Sequence, residues 1–527
     1  YSIMAIKKYF ATKDNTITNA YEANLTTRAT GSSMGASDIL EVFSIYGQES
    51  SGSSELSRVL IQFPVSGTDV GEIKGDRTAG TIPASGSVNF YLRMFNAKHG
   101  QTIPRDFLLN IHAISQSWSE GIGLDMDDYS DITKDIEGSN WIKATGSTSW
   151  GQIGGTFHTG VAYTAGETMP MYSASFEGGT EDLIFDVTSM VEEWIAGTHQ
   201  NYGFAVYLTA SNEAYYSSST GADESEVPHN TEGALRSYYT KRFFARGSQF
   251  FYKRPVLEAR WDSSRLDDRG NFYLSSSIAS AEDNLNTIFL YNNIRGQLKD
   301  IPGLDTTGDK IIVSIFSGTD DPTGDRITLP IGGGVATNDD FHVTGSRIDT
   351  GVYSASFAYT SSAITTIFPV WHSGASEGSN QYHTGSGIAV KTLNSLDYNP
   401  NTKYVTNIKN MKPRYNPNEV ATFRLFVREK DWKPNIYTVA SSDVETTTID
   451  KAYYKVVRTF DDLEVIGYGT GSDNHTLMSH DVSGNYFDLD MSMLQDNYMY
   501  TLKVAYYIND AYREQPEKFN FRVEKDN

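Results

Sequence analysis

A short acidic loop carries the residue types that bind a hard cation. The segment GIGLDMDDYSD offers four aspartates, Asp125, Asp127, Asp128 and Asp131. Calcium takes several oxygen ligands from carboxylates on a flexible loop, and this loop could supply them. An EF-hand is excluded, because its sixth position would be Ser130 instead of glycine and its twelfth would be Ile136 instead of glutamate. The four aspartates are therefore a calcium candidate, and a solvated acidic loop is the alternative.

Two segments match the Gly-x-Ser-x-Gly pattern of serine hydrolases, residues 31–35 and residues 374–378. That chemistry needs a strand, a strained turn and then a helix. The first match precedes a strand-like run and the second lies in a polar loop, so both are interpreted as turns. His475 and His480 lie in a loop-like run without an HExxH pattern, and are interpreted as surface histidines instead of zinc ligands. The sequence predicts no catalytic residue, no cofactor site and no enzymatic activity.

Paired tyrosines are the remaining candidates for a binding surface. With 33 tyrosines and 7 tryptophans, many rings must lie near the surface. The candidates are Tyr215, Tyr216, Tyr238 and Tyr239. Tyrosine joins an apolar ring to a polar tip, which suits protein interfaces and also stacking on sugars. Ordinary sheet packing is the alternative for most rings, because tyrosine favours strands.

Charge and cysteine content narrow the classes of protein further. The chain has 43 Lys and Arg against 65 Asp and Glu, a net charge of -22, which disfavours nucleic acid as a partner. The absence of cysteine excludes disulfides, thiolate metal sites and cysteine nucleophiles. No apolar run approaches the ~18 residues of a membrane helix, so no membrane insertion is expected. The first residues also lack the apolar segment expected of a signal peptide, since Lys7 and Lys8 are followed by polar residues.

A short helix clipped between two strands is predicted in residues 185–208. Thr188 or Ser189 is expected to cap the helix, and Gly197 to end it. The apolar face consists of Val191, Trp194 and Ile195. Residues 202–208 then have the composition of a buried strand. Elsewhere helical periodicity is nearly absent and Gly, Ser, Thr and Tyr are abundant, which predicts an all-β protein built of sandwiches.

Three domains are predicted, because one hydrophobic core stops growing near ~250–300 residues. The expected boundaries are 1–262, 263–402 and 403–527, with turn-rich sequences at both junctions. The long polar loop 211–237 is either a solvated insertion or a contact arm. Strand size and spacing in 403–527 fit an immunoglobulin-like sandwich, although no cysteine pair is present.

The first half of the chain resembles the DNRLRE-type domain, a jelly-roll-like module similar to carbohydrate-binding modules. The resemblance is carried by DVTSMVEEWIAGTHQNYGFAV, residues 186–206, through its Asp-Val-Thr, Trp and Gly, and Asn-Tyr-Gly order. It implies a jelly-roll-like sandwich for the first domain. Together with the strand patterns of the later residues, the predicted fold class is an all-β chain with a jelly-roll-like sandwich followed by two further β-sandwich domains, the last immunoglobulin-like.

The chain also resembles virion structural proteins of large tailed bacteriophages. WSEGIGLDMDDYSD (118–131) and PRYNPNEVATFRLFVREKDW (413–432) look like segments of those proteins. The resemblance implies a place on the particle surface, in neck, collar, tail or fibre, or as capsid decoration. Other virion proteins and further copies of the chain would be its partners, and assembly would take place in the host cytoplasm. The alternative is a carbohydrate-binding adhesin whose aromatic loops stack on host surface glycan, and a depolymerase ranks below both.

The calcium candidate predicts a melting temperature that depends on the ion. If the four aspartates bind calcium, a chelator removes a ligand of the folded state and lowers the melting temperature of the full chain. Calorimetry with calcium and with chelator measures the difference. Identical melting curves would instead support the solvated loop.

Overall fold

The computed structural model describes residues 5–49, 53–98, 100, 103–124, 137–158, 169–219, 226–306, 309–374, 380–392, 402–431 and 446–525. The chain divides into two compact units, Ala5–Asp262 and Ser263–Asn527. Strands dominate both units, which confirms the predicted all-β class. The α-helices in the described ranges are α1 (Ile73–Thr78) and α2 (Thr188–Ala196), and the single 3-10 turns are Phe251–Lys253, Asp268–Gly270, Ala281–Asp283 and Met491–Met493. None of these helices is long and apolar enough to cross a bilayer.

The first unit is a jelly roll of two antiparallel sheets. Its strands are β1 (Ile6–Phe10), β2 (Lys13–Thr18), β3 (Ile39–Gln48), β4 (Glu55–Gln62), β5 (Asn89–Met94), β6 (Phe107–Ala113), β7 (Tyr172–Phe176), β8 (Leu183–Asp186), β9 (Phe204–Leu208), β10 (Arg236–Phe244) and β11 (Val256–Arg260). The smaller sheet has the order β1-β11-β5-β8, and the larger has β10-β3-β4-β9-β6-β7 with β2 also paired to β4. Strands β1-β11-β5-β8 facing β4-β9-β6-β7 give the two four-stranded sheets of a jelly roll, so the predicted jelly-roll-like sandwich is confirmed.

The central strands of the larger sheet, β4 and β9, are buried on both faces. Successive side chains of a strand point to opposite faces, so Val59 and Ile61 of β4 join the core between the sheets. Leu56 and Leu60 join a second core on the outer face. That second core is roofed by three tryptophans of the β6–β7 connection, Trp118, Trp141 and Trp150. Each buried side chain of this size contributes roughly 1.5–3 kcal/mol.

Helix α2 closes one end of the jelly roll, as the sequence predicts. Its buried residues are Met190, Val191, Trp194 and Ile195. The Trp194 ring lies 4.8 Å from the Phe204 ring, centroid to centroid, in an edge-on arrangement. Gly197 ends the helix with a left-handed φ of 82°, a conformation that costs glycine no steric strain.

The predicted helix cap is wrong. The N-cap residue is Val187, which offers no side-chain hydrogen bond, and Thr188 is the first helical residue. Asp186 performs the capping from one position earlier, since its Oδ1 accepts the Thr188 N–H at 2.9 Å and the Thr188 hydroxyl at 2.6 Å. The Thr188 Oγ1 then accepts the Phe90 N–H at 2.8 Å, which ties the helix to β5. Sequence alone could not separate these positions, because Asp, Thr and Ser are all strong capping residues.

The second unit begins with one large antiparallel sheet. Its strands are β12 (Asn286–Tyr291), β13 (Asn293–Ile294), β14 (Gln297–Leu298), β15 (Lys310–Ser317), β16 (Val335–Ala336), β17 (Asp339–Asp349), β18 (Val352–Phe357), β19 (Thr366–Ser373), β20 (Asn380–Thr384) and β21 (Ile388–Ala389). The order is β12-β18-β17-β15-β19-β20, with β16 on β17, β21 on β19 and a separate β13-β14 hairpin. Side chains of this sheet, among them Val313, Val343 and Trp371, form its hydrophobic core.

The last part of the second unit is an immunoglobulin-like sandwich. Its strands are β22 (Tyr404–Ile408), β23 (Arg414–Tyr415), β24 (Val420–Glu429), β25 (Ala452–Arg458), β26 (Leu463–Ile466), β27 (Ser479–Asp481), β28 (Gly484–Asp490), β29 (Tyr498–Ile508), β30 (Ala511–Glu514) and β31 (Phe519–Val523). One sheet has the order β22-β24-β28-β27, the other β23-β31-β29-β25-β26, and β30 pairs with β29. This is the A-B-E-D and G-F-C arrangement of immunoglobulin domains. The division of the chain into three domains stays a prediction.

The immunoglobulin-like sandwich also has a tyrosine corner. Tyr500, near the start of β29, donates its hydroxyl hydrogen to the Gln495 carbonyl at 2.8 Å while its ring is buried. The same hydrogen bond is characteristic of the corresponding strand of immunoglobulin domains. It is separate from the disulfide of those domains and does not substitute for it. Topology and corner together define the fold without a cysteine pair.

We expect Tyr500→Phe to lower the free energy of unfolding by about 1 kcal/mol, because it removes one buried hydrogen bond and leaves a carbonyl without its donor. Urea titration of the full chain measures the change. The matched control is Tyr512→Phe on the neighbouring strand, whose side chain is 48% exposed. Equal losses in the two variants would contradict the role given to the corner.

Candidate interaction surface

Several of the predicted site residues lie outside the described ranges. Asp125, Asp127, Asp128 and Asp131 are outside the described residues, as is most of the serine motif at 374–378. The calcium site therefore stays a prediction. The other serine motif, residues 31–35, forms a turn that leads into β3, so the strand, turn and helix of a hydrolase elbow are not formed there.

The interpretation of His475 and His480 as surface histidines is wrong. Both side chains are buried, each with 2% exposure. The His480 Nε2 lies 3.2 Å from the Asp268 Oδ1, where the chain at 264–267 pairs with β27. His475 fits against Gly469, where a Cβ would lie 2.1 Å from its ring nitrogen Nδ1. The loop-like sequence context gave no sign of either contact, and Asp268 is 212 residues from His480 along the chain.

The segment Trp118–Glu120, part of the phage-like motif, anchors the roof over the larger sheet. The Trp118 indole N–H donates to the Tyr202 carbonyl at 2.8 Å. The Glu120 carboxylate receives two hydrogen bonds from the Arg246 guanidinium, at 2.9 and 2.8 Å, and one from the Asp14 backbone N–H at 2.9 Å. This motif therefore holds β2, the roof and the turn after β10 together.

Asp14 is a buried carboxylate beside that ion pair. Its Oδ2 accepts the Arg246 backbone N–H at 2.5 Å, and the residue is 1% exposed. Burial raises the pKa of Asp14 from 3.8 to about 7, the nearby Glu120 charge adds to the rise, and Arg246 opposes it. Asp14 and Glu120 both accept hydrogen bonds from Arg246, which fits a role in holding the turn after β10 in position.

The structure joins Tyr238 and Tyr239 into one stacked pair. The register of β10 against β3 shifts between Ser237 and Tyr239, where Ile45 and Tyr46 of β3 lie opposite Tyr238 alone, so β3 carries the extra residue of a β-bulge. The two tyrosine rings stack 5.1 Å apart at an interplanar angle of 18°. Tyr238 is 64% exposed, while Tyr239 packs against the core of the jelly roll. The Tyr238 ring is thus exposed to solvent, and the Tyr239 ring supports it from the core side.

Tyr46 is a surface ring that the sequence analysis missed. It is 66% exposed and has a φ of 55°, a left-handed conformation that is uncommon for tyrosine. It is part of the bulge on β3, because Ser237 pairs with Gly47 and Tyr239 with Ser44, which leaves Ile45 and Tyr46 opposite Tyr238. A sequence signal existed in the Tyr46-Gly47 pair, which is typical of a bulge or tight turn.

Tyr215 and Tyr216 are held at the same end of β3 and β10. The Tyr215 N–H donates to the Ala234 carbonyl at 3.0 Å, and Tyr216 exchanges backbone hydrogen bonds with Asn230 at 2.8 and 2.9 Å. The preceding Ala214 packs so closely that a Cβ on Gly47 would lie 2.6 Å from its own Cβ. Both tyrosines are half-buried. We name Tyr46, Tyr215, Tyr216, Tyr238 and Tyr239 the tyrosine edge.

A buried ion pair fixes the base of the tyrosine edge. The Arg58 guanidinium donates two hydrogen bonds to the Glu213 carboxylate, at 3.2 and 3.0 Å, in the outer core of the larger sheet. Arg58 also stacks over the Tyr207 ring at 4.9 Å. The Tyr207 hydroxyl bonds to the His112 Nδ1 at 2.8 Å, and burial together with Arg58 lowers the pKa of His112 to about 4. This network is therefore stable at neutral pH with an uncharged histidine.

No family model and no curated protein matches the chain. A chimeric titin tandem carrying a fibronectin peptide is similar at 11% identity, with 48% of this chain and 93% of that chain covered and a TM-score of 0.14. The N-terminal two-domain immunoglobulin module of a Drosophila receptor protein tyrosine phosphatase is similar at 6% identity, with 48% and 100% covered and a TM-score of 0.14. An alpha-2-macroglobulin from Escherichia coli has 9% identity, 92% and 30% covered, and a TM-score of 0.13. At such TM-scores these likenesses carry no argument.

The Asp14 carboxylate predicts a pH dependence of stability. Because its folded pKa of about 7 lies above its ordinary 3.8, its contribution is complete below pH 3.8 and is lost as the pH rises through 7. We expect Asp14→Asn to gain stability over the wild type as the pH rises across this window, since the amide can still accept from Arg246. Thermal melting at several pH values measures this, with exposed Asp38→Asn as the control. A pH-independent difference between Asp14→Asn and wild type would contradict it.

Proposed function

We propose that this chain is a non-enzymatic structural component of a tailed-phage particle surface, in neck, collar, tail or fibre, or as capsid decoration, and acts through protein–protein contacts. The observation that supports it best is the tyrosine edge, in which the exposed Tyr46 and Tyr238 rings lie at the margin of a sheet whose central strands are buried on both faces. Rigid, pre-formed surfaces lose little conformational entropy on association. Tyrosine is also enriched at protein interfaces.

The phage setting of this proposal comes from the resemblance of residues 118–131 and 413–432 to virion proteins. In that setting the chain assembles in the host cytoplasm and resides in the virion, with other virion proteins and further copies of itself as partners. The acidic net charge of -22 is in keeping with protein partners and against nucleic acid. The motif at 118–120 contributes by anchoring the jelly roll, so it supports the surface from behind instead of contacting a partner.

A second candidate function is a carbohydrate-binding adhesin that recognises host surface glycan. The stacked Tyr238–Tyr239 pair favours it, because Tyr238 presents a flat ring whose other side is already supported. An exposed aromatic face of this kind can stack on the C–H face of a sugar ring. The same residues thus serve either proposal, and only binding measurements separate them.

Imaging of purified particles tests the structural proposal. We expect the full chain carrying a small C-terminal label to occupy regular sites on the particle surface. Tyr238→Ala should fold normally, because the side chain is 64% exposed, but should reduce occupancy of those sites. The exposed Val70→Ala, 83% exposed in the same unit, is the matched control.

A glycan array probed with the full chain tests the carbohydrate-binding alternative. Specific glycan binding that Tyr238→Ala weakens at least ~10-fold, with Val70→Ala unaffected, would favour the adhesin. Particles without label, while labelled chain remains soluble in the lysate, would contradict the structural proposal.

A further inference from the structure

One segment of this acidic chain contains no acidic residue at all. All 65 Asp and Glu lie outside residues 233–257. The segment has six basic residues, Arg236, Lys241, Arg242, Arg246, Lys253 and Arg254. It is equally rich in aromatic residues, which are Tyr238, Tyr239, Phe243, Phe244, Phe250, Phe251 and Tyr252. We name residues 233–257 the basic-aromatic segment.

The structure makes this segment an edge of the jelly roll. It comprises β10, which ends the strand order of the larger sheet, the turn after it and the start of β11. Strand β10 alone is nine residues long, or roughly 30 Å at about 3.3 Å per residue. That length spans a protein interface of standard size. The tyrosine edge lies at the first end of β10 and a phenylalanine cluster at the other.

The phenylalanine cluster consists of Phe10, Phe244, Phe250 and Phe251. The ring centroids of Phe10 and Phe251 are 4.5 Å apart, and those of Phe244 and Phe250 are 5.6 Å apart. Phe250 is 50% and Phe251 42% exposed, unusually high values for rings that already touch other rings. The Arg254 guanidinium lies over the Phe251 ring at 5.2 Å. Arginine and exposed aromatic rings in contact are typical of the residues that dominate binding energy.

Part of the positive charge of the segment is neutralised within the fold. Lys241 is buried and donates to the Gly179 and Glu181 carbonyls. Arg242 pairs with Glu41, and Arg246 with Glu120. Within the described part of the chain, however, Arg236 and Arg254 have no carboxylate at salt-bridge distance. The surface charge left on the segment is thus positive, while the remainder of the chain is strongly negative.

We infer that the basic-aromatic segment docks onto the acidic surface of a second copy of this chain. Charge complementarity selects this occupant, since every acidic residue lies outside the segment and copies are concentrated together in an assembly. The segment meets a different, acidic patch of the second copy, because direct contact between two such segments would place cations against cations. This inference rests on the proposed structural function and identifies one of its contacts.

Sedimentation of the purified full chain tests the inference. We expect reversible self-association at ~0.05 M ionic strength that weakens at ~0.5 M, where the Debye length is only a few ångströms. Phe250→Ser with Arg236→Glu should weaken it at least ~10-fold. The matched control is Ile278→Ser with Lys518→Glu, which removes an exposed apolar side chain and changes the net charge by the same amount. Melting temperatures establish that both variants fold.

Two outcomes would overturn the inference. A wild-type chain that stays monomeric at low ionic strength excludes the contact, as does a Phe250 and Arg236 variant that associates like the control. Binding of a labelled single-stranded oligonucleotide that the same variant abolishes would assign the segment to nucleic acid instead. Sedimentation uses the isolated chain, so a negative result there contradicts only the self-association. The structural function is tested independently by the particle imaging.

Discussion

The burial of the central strands of the larger jelly-roll sheet on both faces is the constraint on which the tyrosine edge depends. A sheet with one wet face could keep Arg58 in water. Here the tryptophan roof covers that face, so the Arg58 charge is enclosed and must be paired. Glu213 supplies the pairing charge, which fixes the loop that follows it beside β3 and β10. The position of Tyr215 and Tyr216 is thus a consequence of a buried charge on a central strand.

Enclosed charges stiffen the smaller sheet in the same way. Burial alone would raise the pKa of Glu258, but Lys8, Arg93 and Arg260 hold it well below its usual value. Burial lowers the pKa of Lys8 to about 8, although Glu258 acts in the opposite direction. The Glu258 carboxylate therefore pairs with three cations, and its removal would leave three positive charges close together in a buried site. Such clusters tolerate little movement, which suits a fold that presents rigid surfaces.

Local periodicity made much of the fold predictable from the sequence. Strand alternation, the apolar face of Trp194 and Ile195, and the glycine stop at Gly197 all depend on residues near in the chain. The cap at Asp186 was missed by two positions, since chemically equivalent residues compete there. The ion pair of Glu120 with Arg246 was missed for a different reason, because it joins residues far apart in the chain and depends on strand register.

The candidate surface was harder to predict than the fold. Tyr238 and Tyr239 were identifiable as a pair, yet their stack lies where two residues of β3, Ile45 and Tyr46, oppose Tyr238 alone, and nothing in the sequence of β10 shows this. In a regular strand their rings would point to opposite faces. Tyr46 was hidden by the same irregularity on the opposite strand. A bulge is set by the pairing of two strands, and a single sequence shows only one strand at a time.

The bulge also determines how this edge can associate. An exposed edge strand presents unpaired backbone groups and invites further strands, which leads to open-ended aggregation. Proteins prevent this with bulges and with Lys or Arg on the edge. Here β3 has a bulge opposite Tyr238, β10 carries Arg236 and Arg242, and residues 242–244 of β10 are already hydrogen-bonded to residues 95–97. With backbone addition disfavoured, contacts at this edge must be made by side chains. Side-chain contacts through aromatic and guanidinium groups are salt-sensitive, which distinguishes them from the addition of strands through backbone hydrogen bonds.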